Sequence, residues 1–313
     1  ETMGPMFEQY MRNALLLLME DMQSDPATLI EVPRVFTDSE FRREKLLKTH
    51  NPVVIDFWEK EAVKAGGEAS LSNMTPYITS KFNNFIANDY MRPIIGQQKS
   101  AFNFRQVLDE GKILLVNLAK GRIGDINAGL LGMIITGKIL MAALSRADTP
   151  AFTGASTGAP DRSGRREFNL YIDEFQNFTT DSISTILSEA RKYGLSLTIA
   201  HQFIAQLTEK IRDAVFGNVG SQIVFRVGVQ DAEFLRNQFE PIFSKNDLIG
   251  IDNFNAFVKI LVNGETTRPF NIMTMPFEHG SSELVHKMKE YSAVKYGANR
   301  QETEFSIYNR LRR

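Results

Sequence analysis

The stretch Phe-Asn-Leu-Tyr-Ile-Asp-Glu-Phe-Gln at residues 168 to 176 decides the fold class of this chain. It is apolar and β-prone, and two adjacent carboxylates, Asp173 and Glu174, follow its apolar part. A strand covered on both faces is apolar along its length, and open α/β sheets bind ligands at the carboxyl ends of such strands. The pattern is typical of a Walker B strand, in which Asp173 holds a hydrated Mg²⁺ and Glu174 orients an attacking water. The alternative is the solvated end of an ordinary strand.

Strands and helices alternate from Phe104 onward, which predicts a parallel sheet with crossover connections. We expect a long apolar helix at 128–144 and a helix at 182–193 that ends at Gly194. A terminal hairpin should turn at Asn263-Gly264. The predicted strands are 112–118, 168–173, 196–200 and 222–227.

The first 95 residues differ, because their apolar side chains recur at helical spacing. Thr37-Asp38 predicts the cap of a helix that begins near residue 39, and Thr75-Pro76 predicts the cap and first residue of a later helix. The chain therefore divides into three predicted parts: an all-α domain at 1–98, an α/β core at 99–280 and a helical tail at 281–313.

The composition narrows the classes of function. The 36 Lys and Arg residues balance 37 Asp and Glu residues to a net charge of −1, so the global charge favours neither nucleic acid nor membrane. The absence of cysteine excludes disulfides and thiolate metal sites, and the 4 histidines lack metal-ligand spacing. We expect no membrane span among these residues, because the apolar run at 14–19 is far shorter than the roughly 20 residues required.

Two further polar residues flank the predicted strand at 196–200. Gln202 follows it, where motor ATPases keep a residue that senses the γ-phosphate; a simple cap of the strand–helix turn is the alternative. Arg191 lies at the end of the preceding helix, where the helix dipole alone favours a cation. In a ring of motor subunits, Arg191 would instead reach a neighbour's nucleotide as an arginine finger.

One motif is a false match to a phosphate-binding loop. Gly-Met-Ile-Ile-Thr-Gly-Lys-Ile at 132 to 139 has the correct glycine and lysine spacing, but Ile139 stands where Mg²⁺ requires Ser or Thr. The motif lies inside a predicted helix, whose backbone amides are not free to bind phosphate. No other Walker A motif occurs in the 313 residues.

The ordered motifs resemble the TraG/TraD group of type IV secretion coupling ATPases, within the HerA and FtsK superfamily. They are Asp-Glu-Gly-Lys-Ile-Leu-Leu-Val-Asn-Leu-Ala-Lys-Gly at 109–121, Tyr-Ile-Asp-Glu-Phe-Gln-Asn-Phe at 171–178, Ser-Glu-Ala-Arg-Lys-Tyr-Gly-Leu at 188–195 and Ala-His-Gln at 200–202. The resemblance covers residues 100 to 275. It implies a RecA-like P-loop NTPase core with a mainly parallel sheet, lacking its Walker A part, and an inserted all-α domain at the start.

The resemblance also implies site residues and cofactors. Asp173 and Glu174 would be the Walker B pair, Asp173 binding Mg²⁺ through water. Gln202 would sense ATP, and Arg191 would act across the interface of a hexameric ring. We expect a fragment that begins after Walker A, so that it is inactive alone.

The implied partners are DNA, contacted without sequence preference, and components of the relaxosome and the secretion channel. The implied location is the cytoplasmic face of the inner membrane of a bacterium, with membrane contact only through a segment outside these residues. A channel-assembly ATPase or a HerA-like repair translocase is the nearest alternative. A non-catalytic adaptor with a degenerate ATPase fold is the alternative of another class.

Overall fold

The computed structural model describes residues 4–62, 68–148, 165–178 and 181–312. It contains two compact units. Unit 1 comprises Glu1–Ala101, Leu118–Ala128 and Lys289–Arg313, and unit 2 comprises Phe102–Asn117 and Gly129–Met288.

Helices and short strands alternate along the described part of the chain. The helices are α1 (Pro5–Glu20), α2 (Val32–Thr37), α3 (Ser39–Leu47), α4 (Pro52–Asp56), α5 (Glu68–Ile86), α6 (Met91–Ile95), α7 (Phe104–Asp109), α8 (Lys120–Ile123), α9 (Asp125–Leu144), α10 (Asp181–Glu189), α11 (Glu209–Asn218), α12 (Val229–Phe239), α13 (Lys245–Gly250), α14 (Ser282–Tyr296) and α15 (Arg300–Arg312). The strands are β1 (Phe168–Ile172), β2 (Leu195–Ile199), β3 (Gln222–Val224), β4 (Asn255–Lys259), β5 (Leu261–Val262), β6 (Glu265–Thr266) and β7 (Phe270–Met273).

Unit 1 is built from helices around one aromatic core. The apolar stripe of α1 is buried as its spacing predicts, and it packs against Trp58, which is 1% exposed. The Trp58 indole Nε1–H donates to the Asn13 carbonyl at 3.3 Å, so its polar atom is satisfied. Asp38 caps α3 as predicted, accepting from the Phe41 backbone N–H at 3.0 Å.

The predicted start of a helix at Thr75-Pro76 is wrong. Helix α5 begins at Glu68 and passes through Pro76. The Thr75 hydroxyl donates to the Leu71 carbonyl at 2.9 Å, as threonine does inside a helix, instead of capping a new one. Ile78 and Phe82 are buried on the predicted apolar face of α5.

The last helix belongs to unit 1. Ile307 of α15 is 1% exposed, and the Arg310 Nη2 group donates to the Gly96 carbonyl at 2.6 Å. A side chain at Gly96 is disfavoured, because an added Cβ would lie 2.8 Å from the Arg92 carbonyl oxygen, as well as 2.5 Å from Ile30 Cδ1 and 2.6 Å from Ile307 Cδ1. Part of the predicted tail at 281–313 is therefore packed.

Unit 2 contains the parallel strand pair predicted by the sequence. β1 and β2 align in parallel with Phe168 opposite Leu195 and Ile172 opposite Ile199. Gly194, at a φ of 70°, ends the preceding helical segment as predicted. These two strands place their carboxyl ends at one edge of the sheet.

A fully buried arginine fixes the opposite ends of the same strands. Arg146 is 0% exposed, and its Nη1 group donates to the carbonyls of Arg166 at 2.9 Å and Tyr193 at 3.2 Å. Its Nε donates to Asp109 at 2.8 Å, so the buried charge has a carboxylate partner. Burial lowers the pKa of Arg146, and Asp109 opposes that effect.

The predicted mainly parallel sheet is not what the described residues form. Residues 112–118 are not paired as a strand, and Ile113 and Leu115 are 89% and 77% exposed. The predicted strand at 222–227 shortens to β3, which lies antiparallel to β4, and β4 lies antiparallel to β7. The parallel sheet therefore contains two strands. The turn at Asn263-Gly264 has positive φ at both positions and joins β5 to β6, as a hairpin requires.

Helix α9 confirms the predicted helix at 128–144 and contains the whole false phosphate-loop motif. Among the described residues, the segment Asp125–Asp148 is long and apolar enough to cross a membrane by length and composition. The expectation that no segment spans a membrane is not contradicted by length and composition alone, and it stays a prediction. A core helix has the same composition, and Ile139, Leu140 and Ala143 are buried in the apolar core of unit 2.

Candidate functional site

The site lies where β1 and β2 end together. Backbone hydrogen bonds continue past both strands: Ala200 N–H donates to the Ile172 carbonyl at 2.9 Å, and Phe175 N–H donates to the Ala200 carbonyl at 2.9 Å. Phe175 is 0% exposed and packs in the core. Since the parallel strands end at the same edge, the polar residues that follow each strand are brought together.

The central contact joins Glu174 to Gln202. The Gln202 amide Nε2 donates to Glu174 Oε1 at 2.6 Å, across 28 positions of sequence. A second amide approaches the other carboxylate oxygen, since Gln176 Nε2 donates to Glu174 Oε2 at 2.6 Å. Each oxygen of Glu174 thus accepts one hydrogen bond from a glutamine.

The backbone turns sharply at Glu174. Its φ of 51° lies in the left-handed region, which is rare for a residue with a side chain and costs about 1–3 kcal/mol. The turn is held by local hydrogen bonds: the Asn177 N–H and side-chain amide donate to the Glu174 carbonyl at 3.0 and 3.1 Å. Asp173 Oδ1 accepts from the Glu174 N–H at 2.9 Å. Such strained positions cluster at functional sites.

The donor set at Asp173 fits a cation that keeps most of its own water. Asp173 is exposed and uses Oδ1 for the Glu174 N–H. Within the described ranges, no group of three or more His, Asp and Glu side chains could enclose a metal ion. Mg²⁺ is usually bound through one or two carboxylates plus substrate phosphates, so Asp173 is suited to that role and not to a metal cage of protein ligands.

His201 adds no positive charge to this edge. Burial lowers the pKa of His201, and the Asp231 carboxylate opposes that effect only in part. The imidazole is therefore neutral at neutral pH. Asp231 itself is buried and accepts from the Ile204 N–H at 3.3 Å, so it supports the loop that follows Gln202.

Arg191 is not brought to the acidic pair. It is exposed and lies in a short 3₁₀ segment, Ala190–Tyr193, before β2, whereas Gln202 follows that strand. A five-residue strand spans about 16 Å. Arg191 and Gln202 therefore lie toward opposite ends of β2 within one chain.

Gln176 is the residue that sequence reasoning missed. It stands two positions after Glu174, at the end of the motif at 168–176. Residues 174 and 176 lie beyond the end of β1, where neither strand nor helix periodicity predicts which side chains meet. The only signal was an amide close to an acidic pair at a strand end.

Comparisons with known proteins connect this site to one family. Residues 167–238 match the sequence model of a family described as the TraM recognition site of TraD and TraG. No curated protein sequence matches the chain. The solved structure of the plasmid coupling protein TrwB in complex with ADP and Mg²⁺ is 14% identical, with a TM-score of 0.48 over 90% of this chain and 71% of that chain. The bacterial conjugative coupling protein TrwBdeltaN70, in a trigonal form in complex with sulphate, is 14% identical, with a TM-score of 0.49 over 89% of this chain and 70% of that chain.

The family match contains most of the candidate site. It includes three of the four motifs that carried the resemblance, and with them Asp173, Glu174, Arg191 and Gln202. The resemblance of this chain to the TraG/TraD type of conjugation coupling protein is thus confirmed over residues 167–238.

Proposed function

We propose that this chain is the C-terminal part of an ATP-driven motor that moves DNA during conjugation or type IV secretion. The observation that carries the proposal is the 2.6 Å hydrogen bond between Gln202 and Glu174, which joins the ends of two parallel strands. A carboxylate and an amide in this arrangement can bind one water and the phosphate it attacks. The family match over the same residues supports this assignment.

Each side chain of the site has a role that follows from its position. Glu174 accepts a hydrogen bond from the attacking water and orients it, while Gln202 donates to the γ-phosphate of ATP. Mg²⁺, when bound beside Asp173, neutralises charge on the phosphates. No Walker A motif occurs among these residues. We propose that a phosphate-binding loop outside them completes the site, and that this chain, with a RecA-like fold, does not hydrolyse ATP alone.

The proposed assembly is a ring, which we propose to be a hexamer, in which Arg191 serves the site of the next subunit. The position of Arg191 toward the opposite end of β2 from Gln202 supports this proposal, because it keeps Arg191 away from the site of its own chain. A pump must accept any sequence, so DNA is held through its phosphates and its affinity falls steeply with salt. The relaxosome and the secretion channel are the proposed protein partners. The site works at the cytoplasmic face of the inner membrane.

The test compares Glu174→Gln with the unaltered residue in the complete protein, extended upstream to include the phosphate loop. We expect DNA-stimulated ATP hydrolysis in the unaltered protein and a loss of about 100-fold or more in the variant, because a neutral amide oxygen makes a weaker hydrogen bond to the attacking water than a carboxylate does and polarises it less. Nucleotide binding, measured by fluorescence of a labelled analogue, should remain.

The matched control is Glu209→Gln, at an exposed glutamate in the first turn of α11. It makes the same chemical change away from the strand ends and should leave turnover unaltered. Unchanged turnover in Glu174→Gln would remove this glutamate from the mechanism. Absence of ATP hydrolysis in the extended, unaltered protein would favour the non-catalytic adaptor.

A further inference from the structure

The Glu174 carboxylate is held by two glutamines that differ in their attachment to the site. Gln202 reaches it from the end of β2, whereas Gln176 belongs to the same turn as Glu174 itself. Both donate through Nε2 at 2.6 Å, one to each oxygen. A carboxylate with one donor on each oxygen is fixed in both position and rotation.

If the site works as proposed, the contact between Gln202 and Glu174 breaks during turnover, whereas the contact between Gln176 and Glu174 persists. Gln202 is exposed, and its function requires its amide to turn toward phosphate when nucleotide binds. Gln176 is partly buried in the 3₁₀ turn Phe175–Phe178, next to the fully buried Phe175. When Gln202 leaves Oε1, Gln176 is the side-chain donor that remains on this carboxylate among the residues that the structure describes.

We propose that Gln176 is a positioning residue that holds Glu174 at Oε2 while Gln202 exchanges between Oε1 and the nucleotide. This proposal rests on the proposed function. It adds a role for Gln176 and the arrangement of the site in the absence of nucleotide. Without nucleotide, both oxygens of Glu174 are engaged by amides. With nucleotide, Oε1 becomes free to accept from the attacking water, and Gln176 keeps the carboxylate facing it.

The backbone at Glu174 explains why such an anchor is needed. A residue in the left-handed region is not stabilised by its own backbone preference, and here the carbonyl is held by Asn177 while the carboxylate is held by Gln176. Loss of the Gln176 donor frees rotation of the carboxylate. Misplacement of a reacting group by about 1 Å can cost 100-fold in rate.

The kinetic test uses Gln176→Met in the complete protein, because methionine keeps the length of the side chain and removes its donor. We expect kcat to fall roughly 10- to 100-fold while KM for ATP stays within about twofold, because the contact orients a catalytic group and does not bind substrate. Gln176→Asn, which withdraws the amide by one methylene, should give the same loss. Gln230→Met, on the exposed first turn of α12, is the matched control and should match the unaltered protein.

A second measurement follows side-chain amide resonances, first in the present chain without nucleotide and then in the complete protein with it. The side-chain amide ¹H–¹⁵N resonances of Gln176 and Gln202 are assigned from their Met variants, and both pairs should move toward free-amide positions in Glu174→Ala. ATP analogue added to the complete protein should move the Gln202 pair alone.

The outcomes separate this inference from the proposed function. If Glu174→Gln abolishes turnover while both Gln176 variants keep the unaltered kcat, the function stands and the positioning role is overturned. A rise in KM at constant kcat also overturns it, since Gln176 would then bind substrate. If Glu174→Gln leaves turnover unaltered, both proposals fail. A Gln176 resonance pair that does not respond to Glu174→Ala contradicts the contact itself.

Discussion

Asp21 is a buried carboxylate of unit 1 that contacts two lysines. Its carboxylate is 3% exposed, and it contacts the Nζ groups of Lys45 at 2.8 Å and Lys48 at 2.9 Å. Burial alone would raise the pKa of Asp21, but hydrogen bonds from Lys45, Ser24 and Lys48 outweigh it and lower the pKa to about 2. The buried Asp21 carboxylate is stabilised because the ammonium groups of Lys45 and Lys48 both lie within hydrogen-bonding distance of it.

Acid should therefore weaken unit 1 in a defined window. An aspartate whose pKa is lower in the folded than in the unfolded state stabilises the fold above the unfolded pKa of about 3.9, and this stabilisation is lost as the pH falls toward 2. We expect a contribution of roughly 2 kcal/mol to disappear across that window. Urea unfolding at pH 6, 4, 3 and 2, followed by the fluorescence of Trp58, measures it.

The control for this prediction is Asp21→Asn, which removes the titrating group. It should cost about 3 kcal/mol at pH 7, because Lys45 loses its buried partner, and its stability should fall less between pH 4 and pH 3. An equal decline in both proteins would assign the acid sensitivity to other carboxyls.

Phe254 combines an unfavourable backbone conformation with little burial. Its φ is 65° and its side chain is 75% exposed, so the ring gains little packing energy in return. We expect Phe254→Gly to raise the free energy of unfolding by about 0.5–1 kcal/mol. Glycine relieves the strain of the left-handed conformation, and the greater conformational entropy that glycine loses on folding offsets part of this gain. Phe277→Gly is the matched control: Phe277 is 80% exposed, does not have a positive φ, and should show no gain. A loss of stability in Phe254→Gly would show that the ring is packed in solution.

Candidate site residues could be predicted from the sequence where they follow the end of a parallel strand. Asp173, Glu174 and Gln202 were identified because parallel strands bring their ends together, and the 2.6 Å contact between Glu174 and Gln202 agrees with that expectation of proximity. Gln176 could not be found in this way. Its contact depends on the positive φ of Glu174, and no periodic pattern of side chains encodes a backbone angle.

At the scale of elements, helix α5 contains a proline in its interior, where proline lowers the stability of a helix. Pro76 is the ninth residue of α5 and stands two positions before the buried Ile78, and its ring removes one backbone hydrogen bond from the interior of the helix. The prediction is that Pro76→Ala raises the free energy of unfolding by about 2 kcal/mol, the interior penalty less the entropy that proline removes from the unfolded chain. Chemical denaturation monitored by circular dichroism measures the change.

Pro33→Ala provides the comparison, because Pro33 occupies the first turn of α2, where a missing N–H is tolerated. It should be neutral or lower stability by less than about 1 kcal/mol. If Pro76→Ala behaved in the same way, the helix would begin at Pro76, as the sequence alone suggested.

Helices could be predicted from local sequence patterns, whereas the pairing of strands could not. Helices α1, α3 and α9 follow from spacing and caps, which are local. A strand exists only if another segment pairs with it, and residues 112–118 carry a strand-like sequence without such a partner in the described chain. The antiparallel pairing of β3 could not be predicted for the same reason, since its direction is set by the distant hairpin that returns through β4 and β7.

At the scale of the whole molecule, each compact unit has an apolar core of its own. The predicted boundaries at 98 and 280 stay predictions about domains. What the structure adds is that unit 1 includes the C-terminal helix α15 together with the first hundred residues. A complete unit 1 therefore requires both ends of the chain.

The proposed role of Arg191 can be tested only in an assembly of several subunits. It lies before β2 while the acidic pair and Gln202 lie after the paired strands, so one chain does not bring them together. An arginine finger in a ring acts from a neighbouring subunit through a heterologous interface, in which each subunit contributes a different face. Arg191→Ala should lower turnover about 1,000-fold in the complete protein.

Mixing two inactive proteins tests the direction of this contact. An Arg191→Ala subunit keeps Glu174, and a Glu174→Gln neighbour keeps Arg191, so an interface between them in the correct order contains both groups. At equal amounts and random assembly, about a quarter of the interfaces are complete, and we expect about that fraction of the unaltered ATPase rate. Lys192→Ala in place of Arg191→Ala is the control, and it should be active without mixing. No recovery at any ratio, with mixed rings verified by differently tagged subunits, would exclude Arg191 as a residue that acts between subunits.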